Sequence, residues 1–106
     1  MEENIVVRYT VKPEAVDEHV RLIQGVFEQL HRERPAGVVG YHVLRLNDGE
    51  TFVHVSTHDT TDGSNPLPEL SAFKEFGRDV ASRVSTPPNP TPGTTIGSYR
   101  SDSPSN

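Results

Sequence analysis

The sequence predicts an α+β fold of the ferredoxin-like kind, with one antiparallel sheet and two helices on one of its faces. Four segments alternate apolar and polar residues, as strands do, and two longer segments repeat apolar residues at helical spacing. Their order along the chain is β-α-β-β-α-β. The predicted sheet is apolar on both faces, yet two helices cover only one of them. We therefore expect a second copy of the chain to cover the other face in a homodimer.

The first strand and the first helix follow each other directly. Residues 5–11 alternate between the two faces of the sheet, which predicts a strand. Pro13 then begins a helix, because proline fits the first turn. Pro35 and Gly37 end this helix. Its apolar face comprises residues at steps of four and three: Val16, Val20, Ile23, Phe27 and Leu30.

A hairpin forms the centre of the predicted sheet. Residues 38–46 and 51–58 are strand-like, and Asn47-Asp48-Gly49-Glu50 between them is a strong turn signal. With Asp48 and Gly49 at the centre of the turn, Tyr41 lies opposite Ser56, and side chains sort into two faces. The face predicted to meet the helices carries Val39, Tyr41, Val43, Phe52, His54, Ser56 and His58. The other carries Gly40, His42, Leu44, Val53, Val55 and Thr57.

The last third of the chain is predicted to complete the sheet. A polar loop at 59–66 leads to a second helix over about 68–84, with Leu70, Phe73 and Val80 on its apolar face. A loop at 85–93 contains four prolines, and residues 94–100 read as the fourth strand. We predict one domain over residues 4–100 and a disordered tail at 101–106.

Composition excludes several classes of protein. The chain has 106 residues, a formal net charge of -5 and no cysteine. A negative charge disfavours nucleic acid and anionic membranes as partners. The absence of cysteine excludes disulfides, cysteine-ligated metals and thiol catalysis. No apolar run approaches the roughly 18 residues of a membrane helix, and no secretory signal is evident. We expect a cytoplasmic protein.

The predicted helix-facing side of the sheet gathers tyrosines and histidines. Tyr41 lies opposite Ser56, with His54 and His58 as diagonal neighbours, within reach of long aromatic side chains. A neutral histidine beside a tyrosine can act as a general base toward a phenolic or enolic substrate. The alternative is that these polar groups are hydrogen-bonded core residues. His54 and His58 are about 13 Å apart along one strand, too far to share a metal ion.

Three segments resemble the antibiotic biosynthesis monooxygenase domains of the dimeric α/β-barrel superfamily. They are Val7 to Glu14, Phe52-Val53-His54-Val55, and Leu70-Ser71-Ala72-Phe73-Lys74-Glu75-Phe76. The resemblance covers roughly residues 4–100. It implies a homodimer whose sheets pack face to face, with a pocket between sheet and helices in each subunit. Some relatives oxidise aromatic polyketides with O₂ and no cofactor, so we expect neither cofactor nor metal here.

These observations support one leading hypothesis and two alternatives. The leading hypothesis is a cofactor-independent monooxygenase acting on a small aromatic or quinone-like molecule. The alternatives are a non-catalytic ligand-binding or stress-associated dimer, and a purely structural dimerisation module. The predicted catalytic residues are His54 and Tyr41. The predicted substrate-binding residues are Tyr9, Ser56, His58, Phe73 and Phe76.

Overall fold

A computed structural model describes residues 2–101 of the chain and confirms the predicted α+β class. A five-stranded antiparallel sheet is covered on one face by helices. The strands are β1 (Glu2–Val11), β2 (Val38–Arg45), β3 (Thr51–Asp59), β4 (Val84–Thr86) and β5 (Thr91–Gly93). The helices are α1 (Val16–Glu33), α2 (Ser71–Gly77) and α3 (Val80–Arg83), with short 3-10 turns at Pro13–Ala15 and Leu67–Glu69. Residues 102–106 of the predicted tail lie outside the described residues.

The strand order is β2-β3-β1-β4, and β5 pairs with the opposite end of β1. The central hairpin has the predicted register, with Tyr41 opposite Ser56 and Val43 opposite His54. Asp48 fixes the turn, because its carboxylate accepts hydrogen bonds from the backbone N–H groups of residues 50 and 51. Gly49 has a φ of 79°, a conformation that glycine adopts without steric cost. The predicted assignment of sheet faces therefore holds across the hairpin.

One residue of the hairpin departs from the predicted pattern. The register shifts between Val38, which pairs with His58, and Gly40, which pairs with Thr57. Val39 lies in this irregularity; it lines a groove beside α1, on the side where alternation placed it, but is 53% exposed. A bulge of this kind leaves one residue without a partner on the neighbouring strand.

The core lies between α1, α2 and the sheet. Its fully buried side chains include Val11 of β1, Val26 of α1 and Phe52 of β3. The buried stripe of α1 runs through His19, Leu22, Ile23, Val26 and Gln29. The predicted apolar residues Val20, Phe27 and Leu30 flank this stripe and are only partly buried. The buried stripe is therefore rotated around the helix axis relative to the predicted one, and this rotation turns His19 toward the core.

The prediction of one continuous second helix over 68–84 is wrong. Helix α2 ends at Gly77, Arg78 is extended, and Asp79 is left-handed with a φ of 62°. Glycine destabilises the interior of a helix, and aspartate tolerates the left-handed region better than most residues. The chain turns at this point and restarts as the short helix α3. The turn brings Arg83 to the inside of the fold, where only 7% of it is exposed.

The prediction of a fourth strand at 94–100 is also wrong. The last sheet pairings come from β4, which pairs with Thr10 and Val11, and from β5, which pairs with Asn4–Val6. These two short strands occupy the edge of β1 that the fourth strand was predicted to take, and residues 94–100 form no strand. Ile96 is 97% exposed and Tyr99 is 90% exposed.

The second face of the sheet is open, as predicted. Leu44 is 51% exposed and Val6 is 37% exposed, while Val53 and Val55 between them are partly exposed. Along the part of the chain that the structure describes, no helix is both long and apolar enough to cross a membrane.

Candidate functional site

A cavity of about 400 Å³ opens between the covered face of the sheet and the segment that leads into α2. Apolar side chains form most of its wall, including Ile5, Val7, Leu67 and Pro68. Five of the seven predicted site residues line it: Tyr41, His54, Ser56, His58 and Phe73. The other two, Tyr9 and Phe76, lie behind this wall and pack against His54.

The central polar feature is a continuous series of hydrogen bonds, here called the Tyr–His chain. It comprises Tyr41, His54, Tyr9, His19 and Arg83. Tyr41 Oη lies 2.7 Å from His54 Nδ1, and His54 Nε2 lies 2.6 Å from Tyr9 Oη. Tyr9 Oη also lies 2.6 Å from His19 Nε2. Arg83 Nε donates to His19 Nδ1 at 3.1 Å.

The sheet register places the first three members of the Tyr–His chain within reach of one another. His54 of β3 lies opposite Val7 of β1 and Val43 of β2. Tyr9 is two residues after Val7 and Tyr41 is two residues before Val43, so each is a diagonal neighbour of His54. Diagonal pairs are about 7–8 Å apart at the backbone, a gap that a tyrosine and a histidine can bridge. Strand alternation and one turn therefore suffice to build this part of the site.

Aromatic rings enclose the Tyr–His chain on several sides. Phe52 stacks on Tyr9 with ring centroids 6.0 Å apart. Phe76 contacts both histidines, with its centroid 5.1 Å from that of His19 and 5.7 Å from that of His54. These rings keep water away from the buried hydrogen bonds, which strengthens each bond and makes any unpaired group costly.

Burial sets the protonation states of the Tyr–His chain. It lowers the pKa of His54 to about 4. It also lowers the pKa of His19 to about 4, and the charge of Arg83 and the proximity of His54 add to this effect. Burial raises the pKa of both tyrosines above the usual range; Tyr41 adds to the effect on Tyr9, and Arg83 opposes it. Both histidines and both tyrosines are therefore neutral at pH 7.

Arg83 carries the one full charge of the Tyr–His chain. Its guanidinium donates to His19 and to the backbone carbonyl of Phe76, and lies 5.6 Å from the centroid of the Phe76 ring. Phe76 is next to the last residue of α2, where backbone carbonyls lack partners within the helix. Within residues 2–101, no carboxylate lies within 4.0 Å of the guanidinium. The end of α2 therefore supplies part of the binding site for this cation.

His58 occupies another part of the cavity wall and is 3% exposed. Its Nε2 donates to the carbonyl of Gly63 at 3.2 Å and lies 3.7 Å from the carboxylate of Glu3. Its Nδ1 is buried and is the one such side-chain atom in the described residues without a hydrogen-bond partner. Buried polar atoms are nearly always paired, so this nitrogen is a candidate contact for a bound molecule.

Sequence reasoning missed two members of the Tyr–His chain, His19 and Arg83. His19, Leu22 and Val26 share one helical face at steps of three and four. The helical pattern would have indicated His19 if histidine had been counted among the residues that can face the core. Arg83 had no comparable signal, because its inward position depends on the break at Asp79. Among residues 2–101, no group of three or more histidine, aspartate or glutamate residues is placed to hold a metal ion.

Comparison with known proteins identifies the fold. No protein-family model and no curated protein matches the chain. Solved structures do match: one from Bacteroides thetaiotaomicron has a TM-score of 0.79 at 13% identity and covers 96% of both chains. Another from Nitrosomonas europaea has a TM-score of 0.75 at 18% identity and covers 90% of both chains. Both carry the name "putative antibiotic biosynthesis monooxygenase". The chain has their fold, which confirms the resemblance at that level.

We predict that the protein loses stability as the pH falls from about 6.5 toward 4. His19 and His54 have a pKa of about 4 when folded, against 6.5 for an ordinary histidine. The unfolded chain therefore binds up to two more protons in this window. The free energy of unfolding should decrease on acidification by up to about 2.7 kcal/mol per pH unit. Urea unfolding at several pH values measures this slope.

A matched pair of variants separates this effect from the protonation of carboxylates. His54→Phe removes one of the two buried histidines and should reduce the slope between pH 6.5 and 4.5. His31→Gln changes an exposed histidine of α1 and should keep the full slope. Equal slopes in the wild type and in His54→Phe would contradict the assignment.

Proposed function

We propose that the protein binds a small aromatic or quinone-like molecule in the cavity and oxidises it with O₂ without a cofactor. The observation that carries this proposal is the pairing of apolar walls with two polar contacts, Tyr41 and His58. Binding sites for small molecules combine mostly apolar walls with a few placed polar groups. The names of the structural neighbours support the same reaction class.

The polar contacts fit a molecule that carries oxygen on an aromatic ring. Tyr41 and His58 belong to adjacent strands, and His58 lies two residues beyond the register partner of Tyr41. A molecule of one or a few fused rings can therefore reach both. Phe73 of α2 also lines the cavity, and its ring centroid lies 6.5 Å from that of Tyr41. This aromatic side chain offers a surface against which a planar ligand can pack.

The proposed reaction converts a ring CH₂ group and O₂ into a ring carbonyl and water. His58 Nδ1 accepts the first proton, leaving a carbanion whose charge spreads onto the ring oxygen. Tyr41 contacts that oxygen. The carbanion then transfers electrons to O₂, and the C–O bond forms before water is lost. Both ring nitrogens of His54 are already hydrogen-bonded, so in this proposal His54 supports Tyr41 instead of receiving the substrate proton.

Oxygen uptake with anthrone tests the proposed reaction. We expect the wild type to consume O₂ and to form anthraquinone. Tyr41→Phe should reduce kcat/KM by about 10²-fold to 10³-fold, as expected for loss of a group that stabilises a developing anion. His58→Gln should reduce it by about 10²-fold or more, as expected for loss of a general base. His54→Ala should also reduce it, because Tyr41 then loses its partner.

Two results would contradict this proposal. If the wild type binds anthrone but takes up no O₂ above the background rate, the protein is a non-catalytic ligand-binding domain. If Tyr41→Phe and His58→Gln turn over at the wild-type rate, the assigned roles are wrong. His31→Gln is the matched control, since it changes an exposed histidine and should leave turnover unchanged.

We also propose that the protein is a homodimer that buries the open face of the sheet. Val6 lies opposite Val55, and Leu44 lies opposite Val53, so the four aliphatic side chains form one patch across three strands. A contiguous exposed patch of this kind is typical of an interaction surface. A second copy matches it without requiring a different partner, because a twofold interface brings the same patch from each subunit together.

Light scattering after size-exclusion chromatography tests the dimer. We expect a dimer for the wild type. Leu44→Glu should weaken dimerisation by at least about tenfold, because burial of an unpaired carboxylate costs more than about 1.4 kcal/mol. Val39→Glu is the matched control on the same strand, since Val39 is equally exposed but lines a groove on the helix side. A monomeric wild type would contradict the proposal.

A further inference from the structure

The donor and acceptor roles within the Tyr–His chain determine which atom carries each proton. Arg83, at its buried end, has only donors, so His19 Nδ1 must accept its hydrogen bond. A neutral histidine carries one ring proton, and that of His19 must therefore be on Nε2. His19 Nε2–H then donates to the hydroxyl oxygen of Tyr9.

The same counting continues from Tyr9 to the cavity wall. Tyr9 has one hydroxyl proton and already accepts a hydrogen bond from His19. It therefore donates that proton to His54 Nε2. The single ring proton of neutral His54 is then on Nδ1 and is donated to the oxygen of Tyr41. All four hydrogen bonds consequently point from the buried guanidinium toward the cavity.

Tyr41 is left with an unused proton at the end of the series. In the part of the chain that the structure describes, His54 Nδ1 is the one hydrogen-bond partner of Tyr41 Oη. That oxygen accepts from His54, so its own O–H is free to donate. Tyr41 lines the cavity, where a bound molecule can supply the acceptor.

We propose that Arg83 sets the direction of the Tyr–His chain, so that Tyr41 acts as a hydrogen-bond donor toward an electron-rich oxygen of the ligand. The ligand classes that fit are phenolates, enolates and quinones, whose oxygens accept hydrogen bonds. This inference rests on the proposed function in taking the cavity as the ligand site. Arg83 does not reach the cavity wall and is a positioning residue that acts through the other members.

The fixed direction also decides which way protons can move. Tyr41 cannot pass a proton to His54 Nδ1, because that nitrogen already carries one. Reversal would require His19 to carry its proton on Nδ1, where it would face the N–H of Arg83. Transfer in the other direction is open: Tyr41 can give its proton to a ligand oxyanion and be reprotonated by His54. The negative charge then moves inward toward the guanidinium, which is the favourable electrostatic direction.

Histidine ¹⁵N NMR of the wild-type protein at neutral pH tests the proton positions without any ligand. We expect His54 to be protonated on Nδ1 and His19 on Nε2. The opposite tautomer at either residue would overturn the proposal. Because this measurement involves neither a ligand nor turnover, its result is independent of whether the proposed oxygenation occurs.

The binding of 4-nitrophenolate tests whether the direction of the hydrogen bonds makes Tyr41 a donor to a ligand oxygen. Arg83→Met removes the fixed donor, so His54 should show a mixture of both tautomers. Affinity for 4-nitrophenolate should fall about tenfold, the equivalent of one lost hydrogen bond. Affinity for 4-nitroanisole, a much weaker acceptor, should change little.

Arg83→Lys keeps a cationic donor and should restore part of the preference for phenolate. Arg78→Met is the matched control, since it makes the same change at an exposed arginine.

A separate variant covers the case in which Arg83→Met fails to fold. Tyr41→Phe removes only the terminal donor, so it should lose the preference for 4-nitrophenolate while His19 keeps its tautomer. Equal affinities of wild type and Tyr41→Phe for 4-nitrophenolate would overturn the proposed recognition. If the tautomers and the phenolate preference are as expected but anthrone is not oxidised, the directional proposal stands and the oxygenase proposal fails.

Discussion

The covered face of the sheet buries polar rings in a layer that excludes water, and the rest of the site depends on how those rings are paired. A buried hydroxyl or imidazole without a partner costs roughly 1–3 kcal/mol. The four rings of the Tyr–His chain avoid that cost by bonding to one another and to Arg83. Each member is needed by the next one. The arrangement therefore behaves as one unit.

The guanidinium at the buried end links the backbone of the second helical segment to the cavity. Helix α2 ends early, which leaves a carbonyl at Phe76 for Arg83 to bind, and the left-handed Asp79 turns the chain so that Arg83 points inward. A continuous helix would satisfy that carbonyl internally and direct the arginine elsewhere. The break is thus part of the site, although it lies outside the cavity wall.

The sequence predicted the parts of the molecule that depend on local pattern. Strand alternation and the Asp48–Gly49 turn were sufficient to place Tyr41, His54, Ser56 and His58 on the covered face, and the structure agrees. The remaining parts depend on competition between segments. Apolar residues continue at helical spacing across Asp79, so the pattern predicted one helix where the structure has two. The strand predicted at 94–100 had a suitable pattern, but β4 and β5 already pair with β1.

A crystal structure of the protein with a bound hydroquinone tests whether the Tyr–His chain presents Tyr41 to a ligand in the cavity. We predict that the ring lies between β3 and α2, with one oxygen within hydrogen-bond distance of Tyr41 Oη, and that the five members of the Tyr–His chain remain connected behind it. A cavity filled by side chains, or a hydroquinone bound elsewhere with Tyr41 turned away from His54, would contradict this role of Tyr41.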